Sequence, residues 1–383
     1  MTVTHAVRWI PSRILLLAPV ATLFYVNQCL ALRRAFLAKG LECLFMADGM
    51  DDDAMEALLS GYEPDVVLSI NSYKRPLMER FPEVLHVRWI QDNHFIHDDY
   101  RKKTSHPLSD ICYCVSDRQK RVVVSEAKTL SGILRFAADP APDCCSEAPR
   151  ATFSLIGGIP PASLLGHEFK ISVFRRFVGR DYFEFLASEL KNSLDMPLEQ
   201  LDAICMKFLA RHRIAPAELG EIGLGLLRED YIRAFNRSRL VQRVLSIGMG
   251  CNIYGNREWA DWPEFAEHYK GGAATSRRNQ EIFRSTTLNL HNGGTISHPR
   301  VFECMGSFGG PLLANQMPPE PDLDFEPGVH YVEFNHDNLP DVAKELIADP
   351  VRRKTICQAA YKLICEKHTW DHRASQVLAD IAR

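Results

Sequence analysis

The sequence has no surplus of positive charge. Its 45 Lys and Arg residues stand against 48 Asp and Glu, a formal charge of -3 over 383 residues. No basic field of the kind that draws a protein onto a nucleic-acid backbone is present, so no nucleic-acid partner is expected. A charged small molecule would need only a local cluster of cations. None of the 11 cysteines has C-x-x-C spacing; Cys112 and Cys114 are two apart, and the adjacent Cys144 and Cys145 are badly placed to bridge each other. This argues against zinc and against a disulfide scaffold, and for a reducing, cytoplasmic setting. No uninterrupted apolar stretch is long enough for a spanning helix, so no integral membrane segment is expected. Residues 14–26 come nearest, behind Arg8 and Arg13, but Pro19, Asn27 and Gln28 interrupt them, so strand, loop and helix account for them better than a leader does. Gly157 and Gly158 are too sparse for a dinucleotide fingerprint.

What is present is alternation. Residues 13–18 are an apolar run, 27–39 carry apolar residues at helical spacing, and 41–46 are apolar again, which predicts a βαβ unit. A short helix at 53–60, a strand at 65–71, a helix at 75–81 and strands at 84–91 and 110–115 continue the pattern. Strands alternating with helices indicate a doubly wound parallel sheet, with ligands at the carboxyl ends of its strands. The length and an apolar fraction of 46% suit two domains. The first is expected at 1–140 as a Rossmann-like, acceptor-side domain, followed by a linker at 139–149 rich in Pro, Asp and Ser. The second is expected at 150–367, its sheet opening at 153–157 and resuming at 252–256. Between these strands, from about 164 to 246, apolar residues fall mostly at helical spacing, among them Tyr182, Phe185, Phe208, Tyr231 and Phe235. This reads as a helical insertion that packs its own core or offers an acceptor or partner surface.

Residues 287–314 organise the rest. Asn289 and His291 alternate with Leu288 and Leu290, which suits a strand whose end delivers polar side chains to a cleft. Gly293, Gly294 and Thr295 free the backbone; His298 precedes Pro299, which sits where the first turn of a helix tolerates a missing N–H. A glycine loop before a helix N-terminus is an anion site. The helix carries Arg300 and Glu303, three apart on one face. On the functional reading, Arg300 holds phosphate oxygens and Glu303 accepts from the vicinal hydroxyls of a ribose; the other reading is a surface ion pair. Arg277 and Arg278 are further cations near this run. Asp92 and His94, after the strand at 84–91, are candidates for a general base, with His97, Asp98 and Asp99 nearby; loop hydrogen bonding accounts for them equally well. Asp51, Asp52 and Asp53, and Asp322 with Asp324, resemble acidic metal motifs but sit at helix starts or turns, where Asp caps; no metal is assigned.

From Asn289 through Arg300, Phe302 and Glu303 to Leu313, and on through Phe325, Glu326, Tyr331, Asn338, Asp349, Trp370 and Arg373, the chain resembles GT-B-fold glycosyltransferases. Within them it is most similar to the spore-maturation CgeB-like group, with a C-terminal domain of the group 1 glycosyl transferase type. Tyr254, Gly255 and Asn256 extend the resemblance upstream. It implies two Rossmann-like domains facing a cleft, a nucleotide-sugar on the second, an acceptor (glycan, protein or small molecule) on the first, and no metal or other cofactor. It also implies that Gly157 and Tyr254 join Asn289, His291, Thr295, His298, Arg300 and Glu303 as donor-binding residues. Residues 368–383 would return to the first domain, giving Trp370 and His372 a packing role. A non-catalytic nucleotide-sugar-binding module and a sugar-nucleotide epimerase remain the rival readings.

Overall fold

The computed structural model describes residues 10–19, 22–92, 106–117, 119–120, 127–141, 149–172, 175–190, 198–317, 319–320 and 322–383. His94, with His97, Asp98 and Asp99, lies outside them, as do residues 142–148 of the linker. The chain divides into two compact units, residues 1–139 with 363–383, and residues 140–362.

The first unit is a six-stranded parallel sheet. Its strands are β1 (Arg13–Ala18), β2 (Glu42–Ala47), β3 (Val66–Ile70), β4 (Leu85–Ile90), β5 (Ser109–Cys114) and β6 (Ala127–Ile133), in the order β2-β1-β3-β4-β5-β6. The apolar run of β1 is covered on both faces, as a central parallel strand requires; Ile14, Leu15 and Leu16 are fully buried. Helices α1 (Leu23–Ala38) and α2 (Asp52–Tyr62) make the first crossovers. Asp51 caps α2 by accepting from the Ala54 amide at 2.8 Å, so this acidic run caps a helix, as its position suggests. The helix expected at 75–81 is a 3₁₀ turn, Pro76–Arg80, held short by Pro76 at its start and Pro82 beyond it. Strand β6 was not legible, since its sequence, AKTLSGI, alternates weakly and lies at the sheet edge.

The second unit is built on a five-stranded parallel sheet of β7 (Ala151–Ile156), β10 (Cys251–Tyr254), β11 (Thr286–His291), β12 (Leu312–Asn315) and β13 (Val332–Phe334), in the order β10-β7-β11-β12-β13. Phe153, Leu155, Leu288, Leu290 and Leu313 form one core with Leu339, Ala343 and Leu346. Fully burying such side chains contributes roughly 1.5–3 kcal/mol each. The region expected to be mostly helical opens instead as an antiparallel hairpin, β8 (Glu168–Ser172) with β9 (Arg175–Val178). Its period-two alternation was hidden by the aromatic residues shared with the following helices: Phe169 stacks on Phe177 at 4.5 Å. Helices α3 (Gly179–Leu190), α4 (Leu198–Arg211), α5 (Pro216–Gly225) and α6 (Ile232–Leu245) follow, and Tyr182, Phe185, Phe208 and Tyr231 build a separate core with the hairpin.

Helices α7 (Ser276–Arg284), α8 (Pro299–Gly306), α9 (Leu339–Ala348), α10 (Pro350–Lys367) and α11 (Trp370–Ile381) complete the chain. The boundary between the units falls inside α10, and α11 belongs to the first unit. There Arg373 donates to the carbonyls of Arg135 and Phe136, Asp380 accepts from Tyr113, and Trp370 meets Trp89 edge to face at 6.4 Å. His372 serves the Thr369 cap of α11.

Candidate functional site

In the second sheet β7 lies between β10 and β11, so the chain leaves β7 toward one side and later returns on the other. The carboxyl ends of these three strands therefore open at a topological switch point, where α/β sheets take their ligands. Gly157 follows β7, Tyr254 ends β10 and His291 ends β11. The Gly157 amide donates to the Tyr254 carbonyl at 2.9 Å, and its own carbonyl accepts from the Trp259 indole at 2.7 Å, which fixes the loop edge.

His291 is 5% exposed, and its Nε2 has no partner among the described residues. Burial pushes its pKa down to about 4, Arg237 adds to the shift, and a hydrogen bond to the Thr295 backbone opposes it. The ring is neutral at physiological pH. His298 stands 4.9 Å from it and caps α8, its Nδ1 accepting from the Arg300 amide at 3.3 Å. Burial, then His291, Arg300 and Arg237, hold His298 well below the usual histidine range. Thr295 donates to the Glu320 carboxylate and accepts from the Ser297 amide at 3.0 Å, so it shapes the loop. The loop is clamped at Gly293, whose amide and carbonyl both pair with the Asn315 carboxamide at 2.9 Å.

Arg300 and Glu303 do form an ion pair, at 2.6 Å, but a shielded one: their side chains are 22% and 14% exposed. Glu303 also accepts from Asn279 at 3.0 Å and from Ser276 at 3.3 Å, both on α7. The carboxylate is thereby oriented, and Oε1 keeps a lone pair beyond its one bond to Ser276.

Asn289 requires a correction. It is fully buried, with its carboxamide accepting from Ser154 at 2.7 Å and donating to the carbonyls of Phe283 and Gly310 at 3.1 and 2.8 Å. Because β11 is covered on both faces, a polar residue between two leucines points into the interior and not to a cleft. It ties β7, β11 and the glycine turn together and offers a ligand nothing. Arg277 and Arg278 pair with Glu281 at 3.4 and 3.2 Å on the surface of α7.

Residues 228–379 match the glycosyl transferase-like family. The matched region holds His291, Thr295, His298, Arg300 and Glu303 on β11, the loop after it and α8; β7, which pairs with β11, lies outside it. No curated protein sequence matches the chain. Among solved structures, Anabaena Alr3699/HepE in complex with UDP aligns over 97% of this chain and 99% of its own, at 9% identity and a TM-score of 0.53. The same protein with UDP-glucose gives 96% and 98%, 11% identity and 0.49. The pneumococcal O-GlcNAc transferase GtfA, in complex with UDP and GlcNAc, gives 85% and 59%, 11% identity and 0.45. At such identities the likeness concerns the fold, which is GT-B.

Sequence reasoning passed over Arg237, on α6. A side chain added at Gly157 would put its Cβ 3.3 Å from the Arg237 guanidinium carbon, so this cation lies against the end of β7. The helix carries Arg233, Arg237, Arg239 and Arg243, and nothing in their spacing marks one of them.

In the first unit Asp92 follows β4, at the carboxyl edge of the sheet. Its carboxylate accepts from the Tyr25 hydroxyl and from Asn71 at 2.7 Å. Asn71 is in the left-handed region with φ of 56°, and its side-chain oxygen Oδ1 accepts from the Gln91 and Asp92 amides at 2.7 and 3.2 Å. Burial, then Asp92, raise the Tyr25 pKa, so that hydroxyl keeps its proton and Asp92 is the acceptor. Among the described residues no three His, Cys, Asp or Glu side chains converge as metal ligands do.

Proposed function

We propose that the protein is a cytoplasmic, metal-independent glycosyltransferase that moves a sugar from a nucleotide-sugar donor to an acceptor, and that it belongs with the CgeB-like group. The observation that carries this reading is the convergence of Gly157, Tyr254 and His291 at the switch point of the second sheet, beside the oriented Glu303, where residues 228–379, which hold all of these but Gly157, match a glycosyl transferase-like family. That Alr3699/HepE, of like fold, was crystallised with UDP supports a nucleotide ligand.

On this reading Glu303 accepts from the ribose hydroxyls through its free lone pair, and the loop from His291 to Arg300 receives the rest of the donor. As the glycosidic bond breaks, negative charge gathers on the departing diphosphate. Fixed cations and the amides at the start of α8 stabilise that charge more in the transition state than in the ground state. Asp92 takes the acceptor proton if configuration is inverted. The deciding experiment is titration with UDP, GDP, ADP and dTDP sugars, followed by an acceptor screen that monitors nucleoside diphosphate release. Saturable binding of one donor with acceptor-dependent release is expected; absence of binding by all four would overturn the reading.

A further inference from the structure

Arg237 lies against the carboxyl end of β7, its guanidinium in close contact with Gly157, where a Cβ would push it back by a few tenths of an ångström. Its charge is felt at His291 and His298, and it in turn feels Arg233 and Arg300. Yet its guanidinium makes no hydrogen bond or ion pair among the described residues, whereas its neighbours are served. Arg233 has Asp230 at 3.5 Å, and Arg300 has Glu303 at 2.6 Å. Arg300 thus has a carboxylate, itself engaged with Asn279 and Ser276, and Arg237 has none against it among the described residues. Arg237 is partly shielded, and a cation held there with no anion or acceptor against it is kept at a cost that a ligand would offset. Burial, then Arg233 and Arg300, lower its pKa only to about 9, so it remains charged at neutral pH.

A second, independent feature lies in the same place. His291 Nε2 is buried and unpartnered, and a Cβ at Gly293 would come within 2.7 Å of it. Glycine at 157 and at 293 therefore lets the backbone pass close against a cation and against an unused ring nitrogen.

We propose that Arg237 is the residue that receives the diphosphate of the donor, in a cradle completed by His291 and the two glycines, while Arg300 serves mainly to hold Glu303. This rests on the nucleotide-sugar reading and shifts the phosphate contact from Arg300 to a residue that sequence alone does not mark. A guanidinium offers paired donors to phosphate oxygens, and the neutral His291 ring adds no competing charge.

The test is calorimetric titration of the wild type and of Arg237→Gln and Arg237→Lys with UDP, GDP, ADP and dTDP, with the nucleosides, and with inorganic pyrophosphate as a base-free probe. For the nucleoside diphosphate that binds, Arg237→Gln is expected to lose roughly 10- to 100-fold in affinity, the size of a charge-assisted contact, and less than about threefold for the nucleoside. Pyrophosphate should follow the diphosphate, and Arg237→Lys should recover part of the loss. The melting temperature of ligand-free Arg237→Gln should equal or exceed that of the wild type, because an uncompensated cation has been removed; a purely structural arginine would lower it. Diphosphate binding unchanged in Arg237→Gln, or lost equally with nucleoside binding, overturns the assignment and leaves the nucleotide-sugar reading standing. If the wild type binds neither pyrophosphate nor any of the four diphosphates, both fall together.

Discussion

Arg300 and Glu303 meet at 2.6 Å, one turn apart at the start of α8, and Glu303 extends the contact to Asn279 and Ser276 on α7. The pair is thus a joint between two helices as well as a place where a ribose would be read. Removing one member of a largely shielded pair leaves the other charge unmatched, so Glu303→Ala should cost about 3 kcal/mol in urea unfolding, and Glu303→Gln clearly less. On the ligand side Glu303→Gln should weaken the donor roughly tenfold or more. A 2′,3′-dideoxy nucleotide should bind wild type and Glu303→Gln alike, because the hydroxyls are gone. Equal loss for both ligands would reduce Glu303 to the structural joint.

Acid should unfold the first unit in part through His86. It is buried, with Ser69 and Ser109 hydroxyls 3.1 Å from its two ring nitrogens, and burial, reinforced by Lys74, pushes its pKa down to about 3. Below the unfolded value near 6.5 the unfolded chain takes a proton that the folded chain refuses, so stability falls from about pH 6.5 toward 3 and is unaffected above that window. At pH 5 the wild type should have lost about 2 kcal/mol more, relative to pH 7, than His86→Gln. Parallel unfolding curves for the two proteins across that range would show that His86 protonates freely in the fold.

Much of the fold was legible because parallel strands covered on both faces must be apolar along their whole length. Leu15 to Leu17 and Val66 to Leu68 could hardly be anything else. The same double coverage made Asn289 misleading: alternation shows which side a residue faces, not whether that side is wet. Arg300 and Glu303 were found because they are neighbours on one turn, whereas Asn279 lies 24 positions from Glu303, and Arg237 lies 54 from His291 and 80 from Gly157. Spacing carries information within an element; the meeting of α6, α7 and α8 at one strand end is set by the chain's return through the sheet. The hairpin of Phe169 and Phe177 was lost because its aromatic residues also satisfy the core of the helices that follow.

The glycine turn after α8 should tolerate no side chain. A Cβ at Gly310 would lie 2.3 Å from the Thr286 carbonyl and 2.4 Å from that of Thr287, in backbone that cannot retreat without breaking β11. Gly294, in the loop after β11, has nothing within 4 Å. Gly310→Ala should therefore lose about 3 kcal/mol or more, or fail to yield soluble protein, while Gly294→Ala stays within about 1 kcal/mol of wild type. Similar melting temperatures for the two variants would mean that the turn is looser than its packing indicates.

Asp92 is the sharpest candidate for chemistry in the first unit, because its carboxylate is oriented from two sides and remains an acceptor. Tyr25 keeps its proton, and Asn71, in its left-handed conformation, fixes both the backbone and the side chain of Asp92. A base arranged in this way must be lost when the carboxylate becomes an amide of the same shape. Asp92→Asn should lower kcat by about 10²- to 10⁴-fold. Donor affinity should remain within a few-fold, since every residue assigned to the donor belongs to the other unit. Tyr25→Phe removes one orienting hydrogen bond and leaves the carboxylate, so a smaller loss, roughly tenfold, is expected. If Asp92→Asn keeps its turnover while the anomeric configuration of the product is inverted, the base lies elsewhere. If turnover is kept and configuration is retained, no such base is needed, and the Tyr25, Asn71 and Asp92 network would be a device for shaping the sheet edge.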